Sequence, residues 1–244
     1  KTFRWDSHLW IYLSRRRNYL LIRVPLSRRK TAKYNLAIAL DNVIQSPKPI
    51  FGTLAGKWKS DYFKNDSSLV LELGCGRGEY TNGLGKLFPD MNFIGVDVKG
   101  DRLAQGGRAA RELELTNTAF LRIHMQEIDE QFAENEVDEI WITFPDPRLR
   151  DRDEKRRLTF HTFLNRYKKI LKPGGILHLK TDSLPFFEFS EGSLAENGWD
   201  VIVKTNDLYT SDWMDDHFGI KTRFEEMFYE KGFNINYLRA INTK

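Results

Sequence analysis

The chain has 244 residues, 41% of them hydrophobic, and a formal net charge of +4, enough length and apolar content for one α/β domain of ordinary size with an appendage. Its single cysteine, Cys75, excludes an intrachain disulfide and a cysteine-rich zinc site, and its five histidines lack ligand spacing, so no metal is expected. Residues 1–30 carry nine basic side chains and one acid, so the other 214 residues sum to −4 and any polyanion-binding surface must be local to particular segments.

Residues 1–50 read as a basic N-terminal extension and 51–244 as the main domain. The extension holds two short apolar runs, Leu9–Leu13 and Tyr19–Ile22, split by Arg15, Arg16 and Arg17. Neither approaches the roughly 18 residues of a membrane-spanning helix, and three arginines would interrupt a secretory signal, so no membrane contact is expected. The preferred reading is an accessory basic segment or a surface helix; Arg-rich, acid-poor composition also fits a transit segment. The lone cysteine argues for a reducing compartment, with the cytoplasm as the expectation. Ser46-Pro47-Lys48-Pro49 reads as a linker. The basic-aromatic stretch Gly56–Phe63 is expected to pack on the sheet edge rather than cover a ligand.

From Leu69 onward, strand and helix patterns alternate, which predicts a doubly wound, mostly parallel sheet with helices on both faces. Seven strands are expected, at 69–73, 92–97, 119–123, 137–144, 176–180, 199–204 and 234–241. Helices are expected from Glu79, over 101–115, 127–132 and 158–171, over 184–197 with an early interruption at Pro185, and over 218–231. The Lys172-Pro173-Gly174-Gly175 sequence is a strong helix stop.

The first strand runs into Gly74, Gly76 and Gly78, a spacing that turns the backbone sharply and brings a ligand close to peptide N–H groups. The spacing is G-x-G-x-G rather than the dinucleotide fingerprint G-x-G-x-x-G. Glu72 stands just before the first glycine, where a carboxylate would repel a pyrophosphate but suit the ammonium of an amino-acid moiety. Asp97 ends the second strand, placed to accept hydrogen bonds from both hydroxyls of a ribose. This pair favours S-adenosyl-L-methionine over NAD and resembles the first two motifs of the Rossmann-like class I methyltransferases.

Ligands of such sheets bind outside the carboxyl ends of the strands, which places Glu72, Asp146 and Asp182 on one rim. Asp146 sits between Pro145 and Pro147 on a stiffened loop. A basic run follows, from Arg148 to Arg157, with Asp151, Asp153 and Glu154 interspersed. Alone it reads as a solvated face; beside a methyl-donor pocket it suggests a phosphate-rich substrate. Thr222 and Glu225 have the spacing of a capping box, which accounts for both residues structurally.

Together, Glu72-Leu-Gly-Cys-Gly-Arg-Gly, Phe144-Pro-Asp-Pro, Lys155-Arg-Arg-Leu, Lys180-Thr-Asp and Thr222-Arg-Phe-Glu resemble the bacterial tRNA (guanine-N7-)-methyltransferase family over about Gly56 to Ile241. The resemblance implies methyl transfer from S-adenosyl-L-methionine to N7 of a variable-loop guanine in tRNA. It implies cofactor contacts at Glu72, Gly74, Gly76, Asp97, His124 and Asp146, with Asp146 also catalytic. It assigns substrate contacts to Arg150, Asp182, Thr222, Arg223, Phe224 and Glu225; by the chemistry of guanine, Asp182 and Glu225 are candidates to accept from its N1–H and amino group. The chain departs from the family pattern at Arg148-Leu149, where Trp-Pro is usual, at Arg150 for lysine, and at Asp153 and Glu154, near a usual histidine. His124 stands where a carboxylate or amide is usual, and Gln126 and Glu127 are alternatives for that adenine contact. A monomer or homodimer with no obligate protein partner is expected. Two other readings are a methyltransferase of another nucleobase or small molecule, which leaves the basic run unexplained, and a non-catalytic RNA-binding subunit, which predicts a damaged cofactor site.

Overall fold

A computed structural model describes residues 8–15, 18–25 and 37–244 of the protein. The first two ranges are strands β1 (His8–Arg15) and β2 (Asn18–Pro25), paired antiparallel with Arg15 opposite Asn18. The alternative of a surface helix is thereby corrected: Trp10, Ile11 and Tyr12 pair in register with Arg23, Ile22 and Leu21, and both runs hold residue types that favour extended backbone. The rest of the basic first 30 residues, including Arg16 and Arg17, lies outside the described residues.

The main sheet has eight strands among the described residues. They are β3 (Val43–Ile44), β4 (Leu69–Leu73), β5 (Asn92–Asp97), β6 (Thr118–Arg122), β7 (Val137–Thr143), β8 (Leu171–Thr181), β9 (Trp199–Thr205) and β10 (Asn236–Asn242). Their order is β3-β6-β5-β4-β7-β8-β10-β9, with β10 antiparallel to both neighbours and the other pairs parallel. Seven are the expected strands. The eighth, β3, is a two-residue edge strand, too short to carry a periodicity. Ala37, Leu40 and Val43, within the stretch expected as an extension, are buried against Leu103, Ala104 and Phe120. All five residues of β4 are buried, as the central strand of a sheet covered on both faces requires. The chain order reverses between β4 and β7, which defines the crevice where such sheets take ligands.

The covering helices are α1 (Glu79–Leu87), α2 (Gly100–Glu112), α3 (His161–Ile170), α4 (Leu184–Glu196) and α5 (Arg223–Glu230). Pro185 does not interrupt α4. It occupies the first turn, where its missing N–H is not needed, and Ser183 caps the helix by accepting from the Phe186 N–H. The helix stop after α3 is also the start of β8: Val137 pairs with Leu171 and Glu139 with Ile176, so Lys172–Gly175 bulge out of the ladder. Trp58 is buried, stacks on Phe132 at 5.4 Å and donates from Nε1 to the Gln131 carbonyl. The Gly56–Phe63 stretch therefore packs near the amino end of β7, away from the rim. Among the described residues no helix is long and apolar enough to cross a membrane.

Gly78 joins β4's loop to α1 with φ of 71°, and an added Cβ would lie 2.4 Å from the Phe120 ring. Gly78→Ala is expected to destabilise by about 2–4 kcal/mol, from left-handed strain plus overpacking, read as a lower midpoint in urea unfolding. An unchanged midpoint would mean that the loop does not depend on this close approach.

Candidate active site

The glycine loop is clipped onto β5 by its own backbone. The N–H groups of Gly74 and Cys75 both donate to the Val96 carbonyl, that of Gly76 donates to Asp97 Oδ2, and that of Gly78 to the Cys75 carbonyl. These four donors are spent inside the protein, so at those positions the loop offers a ligand room rather than N–H groups. Gly76 shows this directly: its φ is 56° and nothing lies within 4 Å of where a Cβ would be.

Glu72 is 3% exposed. Its carboxylate accepts from the Thr81 N–H at 2.8 Å, from the Thr81 hydroxyl and from the Thr143 hydroxyl at 2.6 Å. Burial pushes its pKa up to about 7 against the pull of these three donors. It makes no ion pair among the described residues, so a buried acid next to a cavity stands ready for a cation. Asp97 is held at both oxygens, Oδ2 by Gly76 N–H at 3.0 Å and Oδ1 by Lys99 N–H at 2.7 Å. Each oxygen keeps a second lone pair for a ligand hydroxyl.

Both acids border a cavity of about 630 Å³, within the usual range for a small-molecule site. His124 lines it, whereas Gln126 and Glu127 do not. Val98, Ile123 and Met125 add apolar wall where β5 and β6 end. These were missed in the sequence; their position just after two strand ends is the signal that would have found them.

The opposite wall comes from the loop after β7. Phe144 and Arg148 both have φ of 48°, so Pro145-Asp146-Pro147 is bracketed by two left-handed non-glycine residues, a strained arrangement that persists only where its surroundings enforce it. Phe144 N–H donates to the Lys180 carbonyl at 2.9 Å, extending the ladder one step past β7. Asp146 is largely exposed and lines the cavity; Arg148 contacts it twice, through Nε at 3.0 Å and its backbone N–H at 3.3 Å. The basic run divides by environment. Arg157 is buried, donates to the Arg148 carbonyl and lies over the Phe189 ring at 4.2 Å. Arg156 lines the cavity and pairs with Asp153. Arg150, Arg152 and Lys155 are exposed and, among the described residues, make no ion pair.

The third wall is the N-terminus of α5. The capping box is formed: Thr222 Oγ1 accepts from Glu225 N–H at 3.1 Å, and Glu225 Oε2 accepts from Thr222 N–H at 3.3 Å. Thr222, Arg223 and Phe224 line the cavity, with Phe224 48% exposed. Glu225 is fully buried, and its Oε1 contacts Lys180 Nζ at 2.7 Å and the Tyr209 hydroxyl at 2.8 Å.

The structure thus gathers Glu72, Gly74, Gly76, Asp97, His124, Asp146, Thr222, Arg223 and Phe224 around one cavity. It does not bring Arg150, Asp182 or Glu225 to that wall. Arg150 is on the surface of the turn beyond Asp146; Asp182, partly buried with its pKa raised by desolvation, lies past the end of β8; and Glu225 is turned inward.

A family model described as a putative methyltransferase matches residues 66–238. A tRNA (guanine-N(7)-)-methyltransferase of Bacteroides fragilis is 48% identical over 188 residues, 77% of this chain and 74% of that protein. The protein of the same name from Cytophaga hutchinsonii is 40% identical over 216 residues, 88% of this chain and 97% of its own length. Among solved structures, the 16S rRNA methyltransferase KamB superposes with a TM-score of 0.58 at 15% identity, covering 76% of this chain and 91% of that one. That likeness shows the fold alone, a class I methyltransferase. With two-fifths to one-half of its residues identical to such relatives across most of its length, the chain belongs to the tRNA (guanine-N(7)-)-methyltransferase family.

Proposed function

We propose that the protein transfers a methyl group from S-adenosyl-L-methionine to N7 of a variable-loop guanine in tRNA. The observation that carries the donor is the buried Glu72 carboxylate, which has three neutral hydrogen-bond donors and no ion pair, facing the same cavity as Asp97. The substrate rests on the kinship with tRNA (guanine-N(7)-)-methyltransferases together with the cations Arg150, Arg152 and Lys155, exposed on the turn after Asp146 and suited to RNA phosphates.

S-adenosyl-L-methionine, when bound, supplies a methyl group on a sulfonium sulfur. Glu72 would hold its ammonium, Asp97 its ribose, and Val98, Ile123, His124 and Met125 its adenine. Gly74 and Gly76 leave the room. Guanine N7 is an acceptor without a hydrogen, so no proton is removed before attack and no strong general base is required. The residues must place N7 in line with the methyl and offset the positive charge that arrives on the purine. Asp146, on a loop fixed by two prolines, does both. Phe224 offers an aromatic face for the base, and Thr222 and Arg223 complete the same wall. Asp182 remains a proposed acceptor for N1–H and the amino group, which requires movement of its segment toward the base, whereas Glu225, turned inward onto Lys180, contributes through the start of α5. The protein acts as a monomer or homodimer in the cytoplasm with no obligate partner.

Incubation with methyl-labelled S-adenosyl-L-methionine is expected to label unmodified tRNA transcripts. Labelling of free guanosine with equal kcat/KM, or of neither, would overturn the proposal.

A further inference from the structure

Lys180 is one of the most completely enclosed side chains among the described residues, at 0% exposure, and its partners Glu225, Tyr80 and Phe144 lie on the segments that build the cavity walls. Its ammonium has one carboxylate, Glu225, at 2.7 Å. The ring centroids of Tyr80 and Phe144 lie 5.0 and 5.9 Å from it, and the Glu72 and Lys221 charges also act on it. Tyr80 precedes Thr81, which holds Glu72, and Phe144 opens the loop that carries Asp146. Through its carbonyl, Lys180 also accepts the Phe144 N–H. A fully buried ammonium has no water to fall back on, so its contact with the Glu225 carboxylate is its principal compensation. Glu225 in turn closes the capping box with Thr222 and accepts from Tyr209. Burial lowers the Lys180 pKa, and Glu225 opposes that shift.

We propose that Lys180 is a positioning residue for methyl transfer: by holding the buried Glu225 it sets where α5 begins, and so where Thr222, Arg223 and Phe224 meet the base. It acts through Glu225 and touches no substrate. A helix that starts 1 Å out of place misaligns the base against the methyl without removing any group that binds the donor. This role rests on the methyltransferase reading.

The test is a double-mutant cycle of Lys180→Met, Glu225→Gln and both together, assayed for tRNA methylation well below each variant's Tm, with donor Kd measured separately by titration. Lys180→Met is expected to lower kcat on the order of 10²-fold while donor Kd stays within about threefold. The two substitutions are expected to be non-additive, the double variant being no slower than the slower single one. Losses that multiply, a Kd that rises in step with the fall in kcat, or a Lys180→Met protein with wild-type kcat would overturn the proposal. Should Lys180→Met alone fail to fold, the double variant is compared with Glu225→Gln: equal kcat supports the role and a further tenfold loss overturns it. Absence of transfer by the wild type would instead defeat the methyltransferase reading.

Discussion

Asp146→Ala is expected to lower kcat for tRNA methylation by about 10²–10³-fold. The donor starts as a sulfonium and the guanine ends as a cation, so positive charge moves from sulfur to purine during the step. A carboxylate fixed beside that path favours the transition state without a proton transfer. Asp146 is held there by its neighbours, with prolines on both sides and left-handed backbone at Phe144 and Arg148. The side chain itself is exposed and steadied by Arg148, so its removal should cost little stability. Urea midpoints of wild type and variant are therefore expected to agree while kcat collapses. A variant that keeps near-wild-type turnover would remove Asp146 from the chemistry.

Glu72→Gln is expected to weaken binding of S-adenosyl-L-methionine by roughly 30–150-fold, the worth of about 2–3 kcal/mol for a charge-assisted bond in a buried site. Gln keeps the shape but loses the charge that answers an ammonium. The wild type carries a pH signature the variant lacks. Burial holds the free Glu72 pKa at about 7, and the ammonium binds the ionised form, so donor affinity is expected to fall about fivefold between pH 7 and pH 6. Isothermal titration of the Gln variant should show no such fall. Stability runs the other way. The folded pKa lies above the ordinary 4.5, so the free protein holds a proton that the unfolded chain has released, and this group's contribution to stability declines as pH rises from about 4.5 to about 7. Equal pH dependence of donor binding in wild type and variant would assign the acid limb to another group.

The rim of the sheet was readable because its residues obey local rules. β4 and β5 are short apolar runs with an acid at their carboxyl ends, and the glycines between them mark the turn. The capping box of α5 was readable for the same reason, since Thr222 and Glu225 are three residues apart. What escaped was set by contacts far apart in sequence. Glu225 is turned inward by Lys180 and Tyr209, neither of which a local pattern connects to it. Arg150 and Arg157 belong to one basic run, yet one is exposed and the other buried over Phe189, a difference decided by α4. The glycine loop misled in a subtler way: its spacing suggests N–H groups offered to a ligand, but β5 takes those of Gly74, Cys75 and Gly76, and the Cys75 carbonyl takes that of Gly78. The left-handed backbone at Phe144 and Arg148 left no trace, because neither residue is glycine. β3 was invisible because two residues carry no pattern.

The atom that receives the methyl group distinguishes this reaction from other tRNA methylations. Borohydride and aniline break an RNA chain at N7-methylguanine, so treating a tRNA transcript after incubation with the protein and S-adenosyl-L-methionine maps that atom directly. Cleavage at one variable-loop guanine, absent with Asp146→Ala, is the predicted result. Methyl label in the tRNA without any cleavage would contradict it, because the group would then sit on another atom.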